Sequence, residues 1–221
     1  MNNLVWVSRL CSYIYYHTLF LTFFFLTEPK GTQQQQQTEA PQATLYTTPS
    51  DLSILEVGES DFGQTLIICQ ELEDAKKDAK KVIATTFDTR DEACIKYKRA
   101  WDHITILEKL GVTLLFKVDA SNLSKTTELK DKFFDRIVFN APHCGVFGKE
   151  WNPETIAKNK KLIDNFMKSS SSHMNEEGQI DLTVKPTGPF AKWGLTGMAR
   201  QNKLVMKRVE DFPEVEYKHY N

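Results

Sequence analysis

The sequence predicts an α/β protein with a doubly wound, mostly parallel sheet. Short apolar segments rich in β-branched residues alternate with longer segments whose apolar residues recur every three or four positions. Such an alternation favours parallel strands that are joined by right-handed helical crossovers. With 221 residues and 41% hydrophobic content, the chain can bury one good core. We therefore expect one domain of this class, preceded by appendages.

The first half of the expected domain holds three strands and two helices. We predict strands at SILEVGES (53–60), KVIATTFDT (81–89) and VTLLFKVDA (112–120). Residues 62–79 have the apolar spacing of a helix and end in mixed charges. Residues 90–111 have the clearest helical pattern in the chain, and Gly111 is in the position of a C-terminal cap.

The second half continues the same alternation. FFDRIVFN (133–140) predicts a fourth strand, and residues 155–174 have an apolar helix face. We then expect a turn at NEEGQ (175–179), a strand at QIDLTVK (179–185) and a last strand at KLVMKRVEDF (203–212).

Two appendages are expected before the domain. Residues 1–28 form an apolar, aromatic leader, which we interpret as poorly ordered or as a misassigned start of the reading frame. A signal peptide or membrane anchor at residues 4–26 is the less favoured alternative, because polar residues interrupt it and no small-residue cleavage site precedes Glu28. Residues 29–50 are rich in Gln, Thr and Pro and predict a disordered linker. The domain is then predicted at 51–221.

Charge balance and cysteine spacing do not indicate a nucleic-acid-binding domain, a zinc site or a disulfide framework, and any RNA partner would have to be held by a local patch or by another protein. The chain has 28 basic and 29 acidic residues, so no basic excess indicates nucleic-acid binding by the domain as a whole. The four cysteines are far apart and lack CxxC spacing. We therefore predict no metal site and no disulfide framework, and we expect the reduced thiols of an intracellular protein.

Polar residues follow the predicted strands at one edge of the sheet, where ligands of open parallel sheets bind. They are Gly58, Glu59, Ser60 and Asp61 after the first strand, Asp88 after the second, Asp119 after the third, and Asn140, Pro142 and His143 after the fourth. A glycine lets a ligand approach the backbone, and carboxylates can accept hydrogen bonds from ribose hydroxyls or an exocyclic amine. For each of these residues an ordinary turn or cap role, such as Asp88 capping the next helix, is the alternative. We expect Pro142 to hold Ala141 extended.

Taken in order, these motifs resemble a known family. ILEVGESDF, ATTFDT, KVDASNL, FDRIVFNAPHCG, GQIDLTVKPTGPFAKWGL and EDFPEVEY have the order and spacing of the Rossmann-like domain of the rRNA (uridine-N3)-methyltransferase-like family. The resemblance covers Leu52 to about Tyr220. The phrases FDRIVFN-x-PH-x-G and T-x-K-x-x-x-P-x-x-x-W are its most specific parts.

The resemblance implies an S-adenosylmethionine-dependent methyltransferase that acts on a base nitrogen of rRNA, with uridine N3 of large-subunit rRNA as the expected target. The implied partner is that rRNA or a pre-ribosomal particle, and the implied location is the nucleolus or nucleus, with the cytoplasm as an alternative. Membrane association is not expected.

The resemblance also implies a role for each residue at the sheet edge. Gly58, Glu59 and Asp61 would line the methionine and ribose side of the cofactor, Asp88 would bind the ribose hydroxyls, and Asp119 with Ala120 would face the adenine. Asn140 and Pro142 would hold the base that is methylated. His143 is a candidate base for the N3 proton, and Lys185 is a candidate stabiliser of developing negative charge.

Three departures from the family pattern favour an alternative function. Ser60 replaces a glycine at the closest backbone approach, and Ala141 stands where a bulky aromatic residue is usual. The family domain also continues past the position of Asn221 into a final hairpin strand, so we expect this sheet to lack that strand and to expose an edge. The alternative is a degenerate methyltransferase-like binding module without turnover. A nucleotide-binding oxidoreductase is less favoured, because no GxGxxG follows the first strand.

Overall fold

The computed structural model describes residues 20–27, 52–74, 78–146 and 149–211. The strands in this part of the chain are β1 Leu21–Thr27, β2 Ile54–Val57, β3 Val82–Thr85, β4 Thr113–Leu115, β5 Phe134–Asn140, β6 Met174–Val184 and β7 Leu204–Asp211. The α-helices are α1 Gly63–Asp74, α2 Arg90–Lys96, α3 Ala100–Lys109, α4 Pro153–Ser171 and α5 Leu195–Gln201. Within these residues, no helix combines the length and apolar character needed to cross a membrane.

All of these strands belong to one sheet, in the order β4-β3-β2-β5-β6-β1-β7. β4, β3, β2, β5 and β6 run parallel to one another, and β1 is antiparallel to both β6 and β7. The predicted α/β class with a mostly parallel sheet is therefore confirmed. The strand order reverses between β2 and β5, which places a topological switch point beside the turn after β2.

The two faces of the sheet carry separate apolar cores. Side chains of α1 and α3 pack with Ile54, Val82 and Val138 on one face. Side chains of α4 and α5 pack with Leu55, Ile137 and other strand residues on the opposite face. This burial on both faces explains why the central strands read as continuous apolar runs rather than as alternating ones.

Two predicted elements differ from the structure. The segment 90–111 is not one helix but two, α2 and α3, because Tyr97 is extended and the chain restarts at Ala100. The predicted turn at 175–179 lies inside β6, where the extra residues are accommodated as a register irregularity opposite β5. Gly178 is required there, since an added Cβ would lie 2.8 Å from the carbonyl oxygen of Phe134.

The most important difference concerns the apolar leader. Leu21–Thr27, which the sequence pattern assigned to the leader, form β1, and its register runs from Leu21 opposite Val184 to Leu26 opposite Gln179. Phe24 and Phe25 are fully buried. β1 therefore covers the edge of β6 that lies away from β5, and it comes from the leader rather than from the final hairpin strand of the family pattern. The rest of the leader and the whole linker, residues 29–50, lie outside the described residues, so their assignments stay predictions.

Candidate functional site

The turn after β2 is built around Gly58. Its φ of 73° is in the left-handed region, which favours glycine. A Cβ at this position would also overlap the ring of Phe139, which lies on the neighbouring strand β5. Glycine is thus required here for two independent reasons, one conformational and one steric.

Backbone hydrogen bonds hold the loops of this edge together. The Glu59 N–H donates to the carbonyl of Thr85 at the end of β3 (2.8 Å). The Thr86 N–H donates to Leu115, and the Val118 N–H donates back to Thr86 (3.0 and 2.9 Å). These bonds connect the loops after β2, β3 and β4. We call the edge at the carboxyl ends of the parallel strands β2 to β6 the rim.

Glu59 carries an unusual carboxyl group. Burial raises its pKa from 4.5 to about 7, and the neighbouring charge of Asp61 acts in the same direction. The pKa of Glu56, three residues earlier on strand β2, is also well above its ordinary value, because of burial and then of the nearby Glu59 charge. The two carboxyl groups therefore hold protons that ordinary glutamates would have lost at neutral pH.

Asp61 has a structural role in addition to its position at the rim. Its Oδ1 accepts a hydrogen bond from the N–H of Gly63 (3.0 Å), the first residue of α1. The imidazole of His103 lies beside it, 2.9 Å from its carbonyl oxygen. Asp61 thus orders the start of α1, and Ser60 is half-buried in the same turn.

Asp88 is engaged by a neighbouring cation. Its carboxylate forms an ion pair with Lys96, and its side chain is 14% exposed. It does not cap the next helix, because Thr89 accepts from the Glu92 N–H and Glu92 bonds back to Thr89 in a capping box. The simple cap interpretation of Asp88 is therefore wrong, and one of its oxygens is already occupied by Lys96.

Asp119 and Ala120 lie at the start of a 3₁₀ turn, Ala120–Lys125. Asp119 Oδ1 accepts from the Ser121 N–H (2.8 Å), so this carboxylate caps the turn while remaining exposed at the rim. Ala120 is buried. Both residues are where the order of the strands predicted them, next to the end of β4.

Asn140 is the last residue of β5 and has an unsatisfied amide. Both polar atoms of its side chain are shielded from solvent, and neither has a hydrogen-bond partner among the described residues. An unpaired buried amide is costly, on the order of 1–3 kcal/mol, unless a ligand or water completes it. The Asn140 side chain at the rim can therefore donate to and accept from a ligand or a water molecule.

The residue after it departs from our expectation. Ala141 has a φ of 45°, so it is left-handed and not extended as the following proline predicted. Its N–H still donates to Thr183 of β6 (2.9 Å), which means that strand pairing continues to this residue before the chain turns. Pro142 is buried directly after the turn. The sharp turn overrides the local preference and stores strain beside Asn140.

His143 is neutral in this arrangement. Burial lowers its pKa, and the charge of Glu150 acts in the opposite direction. The N–H of Gly145 donates to His143 Nδ1 (3.1 Å), so in the neutral ring the proton is on Nε2. The Nδ1 lone pair, which a general base needs, is thus already used in a local hydrogen bond.

Lys185 follows β6 at the same edge and lies between two aromatic rings. Its Nζ is 5.7 Å from the ring centroid of Phe20 and 5.7 Å from that of Phe190. Partial burial lowers the pKa of this ammonium, with the Glu150 charge acting against the shift. Asn140 lies opposite Thr183 on β6, two residues before Lys185, so the structure brings the predicted base-holding residue and the predicted cation to adjacent strand ends.

Sequence patterns missed several residues near this site. Phe139, which supports the Gly58 turn, looked like a simple core residue. Glu56 could have been found, because an acidic residue inside the apolar run ILEV is a signal of a special site. Phe20 gave no signal, since nothing in the sequence indicates that the leader reaches the carboxyl end of β6. No group of three or more potential metal ligands occurs in the described residues.

Comparison with known proteins identifies relatives over most of the chain. A family model described as rRNA (uridine-N3-)-methyltransferase BTM5-like matches residues 55–221. The chain is 35% identical over 169 residues to uncharacterized protein At4g26485 of Arabidopsis thaliana, covering 76% of this chain and 78% of that protein. It is 32% identical over 171 residues to heavy metal-associated isoprenylated plant protein 41 of the same species, covering 77% of this chain and 32% of that protein.

A human protein, ferredoxin-fold anticodon-binding domain-containing protein 1, is 25% identical over 170 residues, with 72% of this chain and 26% of that protein covered. The chain therefore spans about a third of the second Arabidopsis relative and about a quarter of the human one. No solved structure matches the chain.

Proposed function

Since the chain belongs to the rRNA (uridine-N3-)-methyltransferase BTM5-like family, we propose that it transfers a methyl group from S-adenosylmethionine to a base nitrogen of rRNA. We propose uridine N3 of the large-subunit rRNA as the acceptor. The observation that carries this proposal is the Asn140 side chain, whose buried amide has no partner among the described residues at the carboxyl end of β5. An amide offers both a donor and an acceptor, which suits the alternating carbonyl and N–H groups of a uracil edge.

The residues of the rim fit the cofactor. The left-handed Gly58 turn presents backbone at the switch point of the sheet, where ligands of this fold class bind. The Glu59 carboxyl, which is protonated up to about pH 7, would ionise beside a cationic amino group, because an opposite charge lowers the pKa of a carboxyl group. When bound, S-adenosylmethionine would supply an electrophilic methyl group: its bond to sulfur would break as the bond to the acceptor nitrogen forms, S-adenosylhomocysteine would leave, and the N3 proton would pass to a base or to water.

Lys185 and His143 would act on the acceptor side. The half-buried ammonium of Lys185 would stabilise negative charge that develops on a nearby base ring. The attraction between the two charges is stronger at a partly buried site than in water. His143 remains a candidate base, but its Nδ1 can accept a proton only if the hydrogen bond from Gly145 breaks. We therefore expect loss of the Lys185 charge to slow transfer more than loss of the His143 ring.

The test measures cofactor binding and methyl transfer separately. Calorimetry on the full chain measures the Kd of S-adenosylmethionine, and a tritiated cofactor measures transfer to large-subunit rRNA transcribed in vitro. Digestion of that RNA to nucleosides then identifies 3-methyluridine. We expect Asn140→Ala to reduce transfer by about 100-fold or more, which is the usual effect of removing one preorganised polar contact in an active site, with little change in the cofactor Kd.

Asn165→Ala is the matched control. Asn165 lies on the second half of α4, which leads away from the rim towards the start of β6, so the same substitution there should leave transfer unchanged. If Asn140→Ala transfers methyl groups as fast as the control, the proposed role of Asn140 is wrong. If the wild-type chain methylates a nucleotide other than uridine, the acceptor is wrong.

A binding module without turnover is the second candidate, and the Asp88–Lys96 ion pair favours it. A carboxylate that is held by Lys96 must give up that contact, or share it, to bind ribose hydroxyls. The same two measurements separate the candidates. Micromolar or tighter cofactor binding with transfer supports the enzyme, whereas no detectable binding supports the module.

The nucleolar or nuclear location is part of the same proposal. It rests on the proposed substrate, a pre-ribosomal rRNA in the nucleolus or nucleus, and the cytoplasm is the alternative. Fluorescence microscopy of the full chain with a C-terminal tag tests it. A signal in the secretory pathway would contradict the proposed location.

A further inference from the structure

Next to Lys185 lies a cleft of about 370 Å³ whose walls come from three parts of the chain. Leu21 and Phe23 of β1 form one wall, and another is formed by Pro186 and by Phe190 of the 3₁₀ turn Gly188–Trp193. Leu195, Thr196 and Gly197 at the start of α5 complete it. The cleft is at the carboxyl end of β6, because Leu21 pairs with Val184, the last residue of that strand.

β1 reaches this cleft because it is antiparallel to β6. Its first residues therefore lie at the same edge of the sheet as the last residues of β5 and β6. Phe20, directly before β1, is almost completely buried and places its ring 5.7 Å from Lys185 Nζ. The Thr22 and Thr183 hydroxyls are 3.0 Å apart, which ties β1 to β6 one step from the rim.

We propose that this cleft holds the uracil ring of the acceptor nucleotide, and that the leader residues Leu21 and Phe23 form one wall of the base-binding site. This proposal rests on the proposed function and adds the leader strand to the acceptor side of the site.

Size, shape and charge together support a uracil occupant. The volume is at the low end of the usual range for small-ligand pockets, which suits one base and its sugar rather than a longer segment. Aromatic and aliphatic walls stack well on a planar ring. The ammonium of Lys185 at the edge of the cleft complements a ring with two carbonyl oxygens and an acidic N–H, and Asn140 lies on the adjacent strand end.

Filling the cleft is the first test. Gly197→Phe introduces a ring from α5, where an added Cβ would meet no heavy atom within 4 Å. We expect the KM for large-subunit rRNA to rise about tenfold or more, from the loss of base stacking, while the Kd of S-adenosylmethionine stays the same. Gln201→Phe, an exposed position near the end of the same helix that does not line the cleft, should change neither quantity.

Opening the cleft from the leader side is the second test. Leu21→Ala removes part of its wall, whereas Leu26→Ala makes the same change at the other end of β1, opposite Gln179. Both leucines are half-buried, so a general loss of stability should be similar. A higher KM for the RNA in Leu21→Ala alone supports the proposal. Equal effects of the two variants on KM would refute the role of the leader.

Crosslinking tests the contact without turnover. RNA that contains 4-thiouridine is irradiated with the full chain, and the crosslinked peptides are identified by mass spectrometry. Crosslinks at residues 20–23 or 186–197 support the cleft, and crosslinks confined to other segments refute it. A chain that binds the cofactor and crosslinks at the cleft but does not methylate would refute the proposed function alone. A loss of cofactor affinity in Gly197→Phe would assign the cleft to the cofactor and refute the uracil proposal.

Discussion

Replacing Gly58 by alanine tests how the turn after β2 is built. Gly58 has a φ of 73°, and a non-glycine residue in the left-handed region costs about 1 kcal/mol or slightly more. The added Cβ would also overlap the ring of Phe139. That ring cannot move freely, because it packs edge-to-face against Phe166 with ring centroids 4.9 Å apart. Overpacking of this kind costs about 1–3 kcal/mol.

From these two contributions we expect Gly58→Ala to lower the free energy of unfolding by about 1–3.5 kcal/mol, after subtracting about 0.5–1 kcal/mol for the stiffer unfolded chain. Urea unfolding of the full chain, followed by tryptophan fluorescence, measures this change. Trp193 is 1% exposed in the folded protein and provides the signal.

A double-mutant cycle separates the two causes. In a Phe139→Leu background the alanine Cβ has more room, so only the conformational contribution should remain, about 0–0.5 kcal/mol after the same subtraction for the unfolded chain. Gly197→Ala is the matched control, because its Cβ meets no heavy atom within 4 Å and it lies in α5, where alanine is favoured by up to about 1 kcal/mol. A cost below about 0.5 kcal/mol for Gly58→Ala, or additive effects in the cycle, would refute this account of the turn.

Three other predictions concern the rim and the leader strand. The pKa of Glu59 is raised from 4.5 to about 7, so its contribution to stability is present below pH 4.5 and is lost as the pH rises through about 7. Urea unfolding at several pH values should show this loss, and Glu59→Gln should reduce it; an unchanged pH profile would contradict the shifted pKa. Ala141→Gly should raise the free energy of unfolding by about 0.5–1 kcal/mol by relieving a left-handed alanine, and a lower stability would argue against the left-handed turn. Phe25→Ala should lower it by about 3–5 kcal/mol, since this ring is fully buried in β1; a negligible change would show that the leader is not part of the core.

Local patterns were sufficient for most of the central sheet. β2, β3 and β5 are short runs of β-branched and apolar residues bounded by glycine, acidic or amide residues, and each was predicted near its observed position. The candidate rim residues followed from the same pattern, because strands that run parallel end at a common edge. These features depend on residues that are close together in the sequence.

Errors arose where a distant contact decided the local conformation. The helical pattern of 90–111 is continuous, but Ala100, Ile104 and Leu107 pack on the sheet while the first turn is held by its own capping box, so the segment breaks between them. Ala141 is left-handed although a proline follows it, and its N–H pairs with Thr183, a residue 42 positions later in the chain. The packing of α3 on the sheet and the pairing of Ala141 with Thr183 both depend on residues that are distant in the sequence.

The sequence by itself determined the α/β class, the order of the parallel strands along the chain and the polar residues at their carboxyl ends. Both the hydrophobic periodicity and the polar residues that end each strand are local properties of the sequence. Only the tertiary structure decided that LTFFFLT is a strand between β6 and β7. A short apolar segment fits a leader, a membrane-facing segment or a buried strand equally well, and the choice depends on whether an unpaired sheet edge is available to it. That edge is formed by residues more than 150 positions away, and the pairing places Phe20 against Lys185 at the proposed site.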